Sequence, residues 1–170
     1  MPELACRQFF WQRWLQHIPA SRAGSWLFSR SLHHLDRVLM RLSGGRLNVA
    51  TSLTGLPTLV LVNRGARSGR ERQTPLIGVP DGERIILIAS NWGRAHSPAW
   101  YYNLRADPAC RARFDGFEGA YRAREVTDPA EYERCWQAAC RVYLGYPKYR
   151  ERVATRQIPI MRLEPAGTAG

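Results

Sequence analysis

Thr58–Ser90 reads TLVLVNRGARSGRERQTPLIGVPDGERIILIAS, and this stretch decides the fold. Thr58–Asn63 is a short run of leucine and β-branched residues. Arg72–Val79 is a second candidate strand and Arg84–Ser90 a third. Short runs of this kind, bounded by glycine and polar turn residues, are strand signals. Asp81-Gly82 is a turn signal of the hairpin type. Three strands this close together predict an antiparallel meander.

Downstream, Ser97-Pro98 predicts a helix start, with Ser as cap and Pro in the first turn. That helix runs to about Ala106, and Asp107-Pro108 closes it. Cys110–Phe114 and Ala120–Val126 read as strands joined through Asp115-Gly116. Asp128-Pro129-Ala130-Glu131 is a capping-box helix start, with the helix expected to run to about Leu144, where Gly145 and Pro147 break it. Ile158–Leu163 is the last strand. Upstream, Leu4–Ile18 and Trp26–Leu42 carry apolar residues at helical spacing. Strands on short turns with few crossover helices predict an α+β fold, an antiparallel sheet or small barrel with flanking helices. The expected division is an N-terminal helical extension over 1–50, a barrel over 51–165 and a disordered tail over 166–170.

The chain has 170 residues, 45% hydrophobic and 23% charged, which excludes a disordered or low-complexity protein. No apolar run approaches the roughly 18 residues of a membrane-spanning helix. Arg7 and Arg13 interrupt the first apolar stretch, so no secretory signal is expected. Cys6, Cys110, Cys135 and Cys140 lack C-x-x-C spacing and read as reduced thiols of a cytoplasmic protein. The net charge is +11, and Lys148 is the only lysine beside the arginines. Such a surplus favours an anionic partner. Nucleic acid is not expected, because no zinc-finger, ribonucleoprotein or helix-turn-helix signature is present. No metal site is expected either: His33 and His34 are adjacent and point different ways on a helix.

Four segments are candidates for chemistry. Arg64, Arg67, Arg70 and Arg72 fall within nine residues that include Gly65 and Gly69. Backbone N–H groups in such a turn form an anion-binding concavity, and guanidinium groups clamp oxygens. The Lys-Ser/Thr ending of a Walker loop is missing. A solvated arginine-rich hairpin is the competing reading of these residues alone. The small residues of Ala89-Ser90-Asn91-Trp92-Gly93 at a strand end let a flat ligand approach the backbone. Trp100-Tyr101-Tyr102-Asn103-Leu104 reads first as core packing. Tyr143, Tyr146 and Tyr149 can pack a ring, donate a hydrogen bond or supply a proton, though locally they read as half-buried tyrosines at a helix end.

In order, these pieces resemble one family. They are Gly65-x-Arg67-Ser68-Gly69-x-x-Arg72, Thr74-Pro75-Leu76, Asp81-Gly82 and Ile88-Ala89-Ser90, followed by Pro98-x-Trp100-Tyr101-x-Asn103-Leu104, Ala106-Asp107-Pro108, Tyr143 to Tyr149 and Ile158-Pro159-Ile160. The order and spacing resemble the deazaflavin-dependent nitroreductases and quinone reductases, from about Leu59 to Pro165. The resemblance implies a split β-barrel of the FMN-binding type and coenzyme F420 as cofactor, with FMN the second choice. It implies hydride transfer to a small apolar quinone-like or nitroaromatic acceptor. The alternative on the same fold is a non-enzymatic carrier of lipid, fatty acid or flavin.

By this resemblance Arg67, Ser68 and Arg72 hold the cofactor phosphate, and Ser90, Asn91, Trp92 and Gly93 approach the deazaflavin ring. Pro75 and Trp100 border the cleft. Tyr143, Tyr146 and Tyr149 line the acceptor side, with proton delivery placed on Tyr146 and secondarily Tyr143. Where members have a Lys-Gly-Gly-like loop this chain has Asn91-Trp92-Gly93, and the bulky Trp92 covers the ring or narrows the pocket. Dimers are common for this barrel type. Leu4–Ile18, with aromatics on one side and Arg7 and Arg13 elsewhere, fits peripheral contact at the inner membrane face.

Overall fold

The computed structural model describes residues 55–114, 116–153 and 155–167. The helices expected over Leu4–Ile18 and Trp26–Leu42, and the last three residues of the expected tail, lie outside the described residues. Among the described residues seven strands follow in chain order: β1 (Thr58–Arg64), β2 (Glu71–Ile77), β3 (Val79–Asp81), β4 (Arg84–Ile88), β5 (Ala109–Phe114), β6 (Phe117–Glu125) and β7 (Ile160–Pro165). Three α-helices accompany them there: α1 (Ala99–Ala106), α2 (Pro129–Val142) and α3 (Gly145–Arg152). Every pairing among these strands is antiparallel.

The sheet order is β2-β1-β5-β6-β7-β4-β3. β2 and β3 therefore occupy opposite edges, yet only Gly78 separates them in the chain. One residue cannot cross a flat seven-stranded sheet, so the sheet curls until its edges come together. That is the split barrel the family resemblance implied, a curled sheet in which β2 and β3 are joined through Gly78 but, among the described strands, pair only with β1 and β4. The expected strand Arg72–Val79 is thus two strands. The meander is also corrected: β2 pairs with β1, whereas β4 pairs with β3 and β7. Pro75 lies on β2, an edge strand, where its missing N–H breaks no central ladder.

β4 shows why these residues make this core. Its apolar run alternates between two hydrophobic clusters. Ile85 and Leu87 point inward with Leu59, Leu61, Trp100 and Leu163, while Ile86 and Ile88 point outward beneath α2 and α3. A strand covered on both faces needs an unbroken apolar sequence. On α2, Tyr132, Cys135, Trp136 and Ala139 are buried, the spacing of one helical face. Asp128 accepts a hydrogen bond from the Glu131 N–H at 2.8 Å, as expected of the cap. The other half of the capping box is absent, because the Glu131 carboxylate turns to Arg124 and Arg162. Arg162, only 7% exposed, also faces Asp81 at 3.3 Å, so one ion cluster ties β3, β6, β7 and α2 together.

Two helix ends differ from expectation. Ser97 does not cap α1; Pro98 stands at the cap without a side-chain bond, and the Ser97 hydroxyl instead accepts from Arg156. α2 stops at Val142, and Gly145 and Pro147 do not merely break it but open a second helix, α3. At the C-terminus, Ala166 of the expected tail still donates to the Ala120 carbonyl at 3.0 Å. Among the described residues no helix is long and apolar enough to cross a membrane.

Candidate functional site

The turn between β1 and β2 is built on backbone bonds. Gly65 N–H donates to the Arg70 carbonyl and Gly69 N–H to the Gly65 carbonyl, both at 2.8 Å. Gly69 has φ +63°, and a Cβ on Gly65 would sit 2.7 Å from Ser68 Oγ. A side chain at Gly65 would fill the space that the turn encloses. Two amide side chains pin the turn to α1. Asn103 Oδ1 accepts from Ala66 N–H at 3.0 Å, and Asn63 Nδ2 donates to the Trp100 carbonyl at 3.3 Å.

The guanidinium groups of this turn divide by partner. Arg64 donates to the Gly69 carbonyl and Arg72 to Ser68 Oγ. Arg67 and Arg70 are exposed, and their side chains have no hydrogen bond or ion pair with another described residue. Glu71, the only acid in the stretch, is occupied elsewhere. It accepts from Gln73 and Arg111, and these bonds, Gln73 first, hold its carboxyl below the usual range. Beneath the turn, Asn63 Oδ1 is a buried acceptor with no partner among the described residues. This donor set suits a phosphate-bearing anion, because charge-assisted bonds from guanidinium to phosphate are strong and planar.

The segment after β4 has unusual backbone. Asn91, Trp92 and Gly93 have φ values of +48°, +60° and +75°, three consecutive left-handed residues of which only the last is glycine. Asn91 Nδ2 steadies the turn through the His96 carbonyl at 2.9 Å. The Trp92 ring lies edge-on to Tyr149, with centroids 6.5 Å apart. Arg156 fastens the far end, donating to the Arg94 carbonyl at 2.9 Å.

The three tyrosines meet. Ring centroids are 5.1 Å apart for Tyr143 and Tyr146, 6.0 Å for Tyr143 and Tyr149, and 6.4 Å for Tyr146 and Tyr149. The hydroxyls of Tyr143 and Tyr149 are hydrogen-bonded at 2.9 Å. All three are buried rather than half-buried, because the bend at Gly145 folds α3 back over the end of α2. Burial pushes the Tyr143 and Tyr146 phenols far above 10, and for Tyr143 the neighbouring Tyr149 adds to the effect. Both phenols therefore stay neutral and can donate hydrogen bonds.

The structure thus joins the predicted pieces in two groups. Arg67 and Ser68 lie in the β1–β2 turn, and Arg72 at the start of β2 reaches back to Ser68 Oγ. Ser90, Asn91, Trp92 and Gly93 adjoin Tyr143, Tyr146 and Tyr149 through the Trp92–Tyr149 contact. α1 links the groups, since it follows the strained segment and anchors the arginine turn. Trp100 is buried in the barrel core at 5% exposure, and its carbonyl rather than its ring reaches the turn. Pro75 lies half-buried on β2 opposite Val60. Sequence reasoning missed Asn63 and Arg156. A polar residue closing the apolar run of β1 was a usable signal for Asn63; nothing local marks Arg156.

A family model described as F420H(2)-dependent quinone reductase matches residues 34–165. An F420H(2)-dependent quinone reductase of Mycobacterium tuberculosis is 33% identical over 110 residues, covering 63% of this chain and 72% of the relative. Among solved structures, an F420-H2 dependent reductase (FDR-A) aligns with a TM-score of 0.59 at 29% identity, over 64% of this chain and 94% of that one. A second, described as a domain-swapped dimer, aligns with a TM-score of 0.61 at 25% identity, over 78% of this chain and 98% of that one.

Proposed function

This chain belongs to the F420H(2)-dependent quinone reductase family, and from that membership we propose that the arginine turn and the tyrosine cluster are two parts of one site for coenzyme F420 and a quinone. The family is one of oxidoreductases with coenzyme F420 as cofactor. When bound, the reduced deazaflavin supplies a hydride; binding, orientation and protons are the protein's task. Arg67, Ser68 and Arg72 hold the phosphodiester arm, and the exposed guanidinium of Arg70 extends the donor set. Each charge-assisted bond contributes about 1.5–3 kcal/mol. The backbone of Ser90, Asn91 and Gly93 faces the ring, with Trp92 beside it. Pro75 borders the cleft, and Trp100 supports it from behind through Asn63.

Converting a quinone to a hydroquinone takes one hydride and one proton. A phenol hydrogen-bonded to the quinone oxygen would pass its proton as negative charge develops there in the transition state. Tyr146 is placed in that role and Tyr143 second, with the Tyr149 hydroxyl able to return a proton to Tyr143 across their hydrogen bond. The apolar rings favour flat apolar acceptors, nitroaromatics as well as quinones. A homodimer is proposed with support from the domain-swapped relative. Cytoplasmic location is supported by the free thiols Cys110, Cys135 and Cys140. Contact with the inner membrane face is proposed for Leu4–Ile18.

The observation that carries this reading is the turn itself: Arg67 and Arg70 stand without partners among the described residues, beside Gly65, on a loop pinned to α1. The test mixes purified protein, reduced coenzyme F420 and a naphthoquinone, and follows the return of oxidised-cofactor fluorescence. Quinone-dependent oxidation is expected, with Tyr146→Phe lowering kcat roughly a hundredfold, the scale of one general acid, and leaving KM nearly unchanged. Absence of oxidation by the wild type would reject the function. A Tyr146→Phe enzyme at full kcat would reject only the tyrosine assignment.

A further inference from the structure

We propose that Trp92 is a specificity-determining residue of the acceptor site: its indole closes the side of Tyr149 beside the β4–α1 loop and excludes acceptors with bulky ring substituents. The inference rests on the reading of the tyrosine cluster as the acceptor side.

The backbone supplies the first argument. Trp92 has φ +60° and follows Asn91 at φ +48°. Left-handed geometry is unfavourable for any residue with a Cβ, and a large aromatic gains nothing from it locally. Glycine would relieve that cost. Strain of this kind persists where the surroundings hold the residue in place, and it gathers at ligand sites.

Packing supplies the second. Tyr149 is 2% exposed, and besides the Tyr146 ring four groups border it. Trp92 meets its ring edge-on, at an interplanar angle of 68°. The backbone at Gly93 lies so close that a Cβ there would be 3.3 Å from Tyr149 Cδ1 and 3.0 Å from Arg152 Cδ. The Arg152 guanidinium stands 5.4 Å from the same ring centroid. The Tyr143 hydroxyl completes the enclosure. Trp92 is half-buried, with one side on the outer core and the other toward solvent. It is a wall of the tyrosine cluster, and the left-handed backbone aims it there.

The test compares wild type, Trp92→Gly, Trp92→Ala and Trp92→Phe with two acceptors, a dimethylnaphthoquinone and its prenylated homologue. The two share one ring, so the ratio of their kcat/KM values reports the pocket. The Gly and Ala variants should raise the prenylated-to-methylated ratio roughly tenfold, the low end of what an apolar pocket discriminates. Phe should keep the wild-type ratio. An unchanged ratio in both opened variants, with turnover intact, would overturn the inference. In parallel, tetranitromethane nitration of Tyr149 in cofactor-free protein, mapped by mass spectrometry, should be faster in the Gly and Ala variants. Equal rates would likewise overturn it. Failure of the wild type to turn over either quinone would reject the function, and the nitration rates would then decide the role of Trp92 alone.

Discussion

Asn103 shows how little of the site is carried by the residues that would touch a ligand. Its Oδ1 accepts the Ala66 N–H and so fixes the arginine turn against α1. Replacing Asn103 with alanine should loosen that turn, and losing one neutral bond is worth about 1 kcal/mol, or roughly a fivefold loss of cofactor affinity. Because the bond is exposed, the melting temperature should change little; calorimetric titration and a thermal melt separate the two effects. A large drop in stability with unchanged affinity would make Asn103 a structural residue only. The arginine turn was legible in the sequence, since four cations and two glycines between strands is a local pattern. Asn63 was marked only as the polar end of an apolar run; its burial was not legible, because it follows from α1 packing over the end of β1. The depth of Tyr143, Tyr146 and Tyr149 was not legible either, since it depends on how α3 returns over α2.

At the scale of elements, β4 was readable because its run of isoleucine and leucine demands cover on both faces. The division of Glu71–Asp81 at Gly78 was not, since strand partners are set by a closure that only the whole sheet determines. Glu131 makes the same point within a helix: the local motif gives it a capping role, and tertiary structure gives it Arg124 and Arg162. Those bonds, Arg124 first, hold the Glu131 carboxyl at about 2, against 4.5 without them. Its folded-state value is depressed, so its contribution is complete above pH 4.5 and disappears as pH falls through about 2. Glu131→Gln should destabilise the protein by about 3 kcal/mol near neutrality, since a buried arginine loses a partner. Urea unfolding at several pH values should show the difference between variant and wild type shrinking below pH 4.5 and closing near pH 2. A pH-independent difference would assign the effect to packing.

For the molecule as a whole, the split barrel gathers sequence-distant pieces into two groups that α1 links. The arginine turn lies between β1 and β2, the strained segment follows β4, and the tyrosines come from the end of α2 and from α3. Nothing local announces that convergence; it was legible only through the order and spacing of many weak motifs. The net charge of +11 is consistent with a polyanionic cofactor but names none, and the family assignment supplies the name. The measurement closest to the central claim is a fluorescence titration of coenzyme F420 against wild type and the Arg67→Glu, Arg72→Glu double variant. Removing two charge-assisted bonds to the phosphate predicts an affinity lower by roughly a hundredfold or more, with an unchanged melting temperature. Equal affinity in a folded double variant would contradict the account.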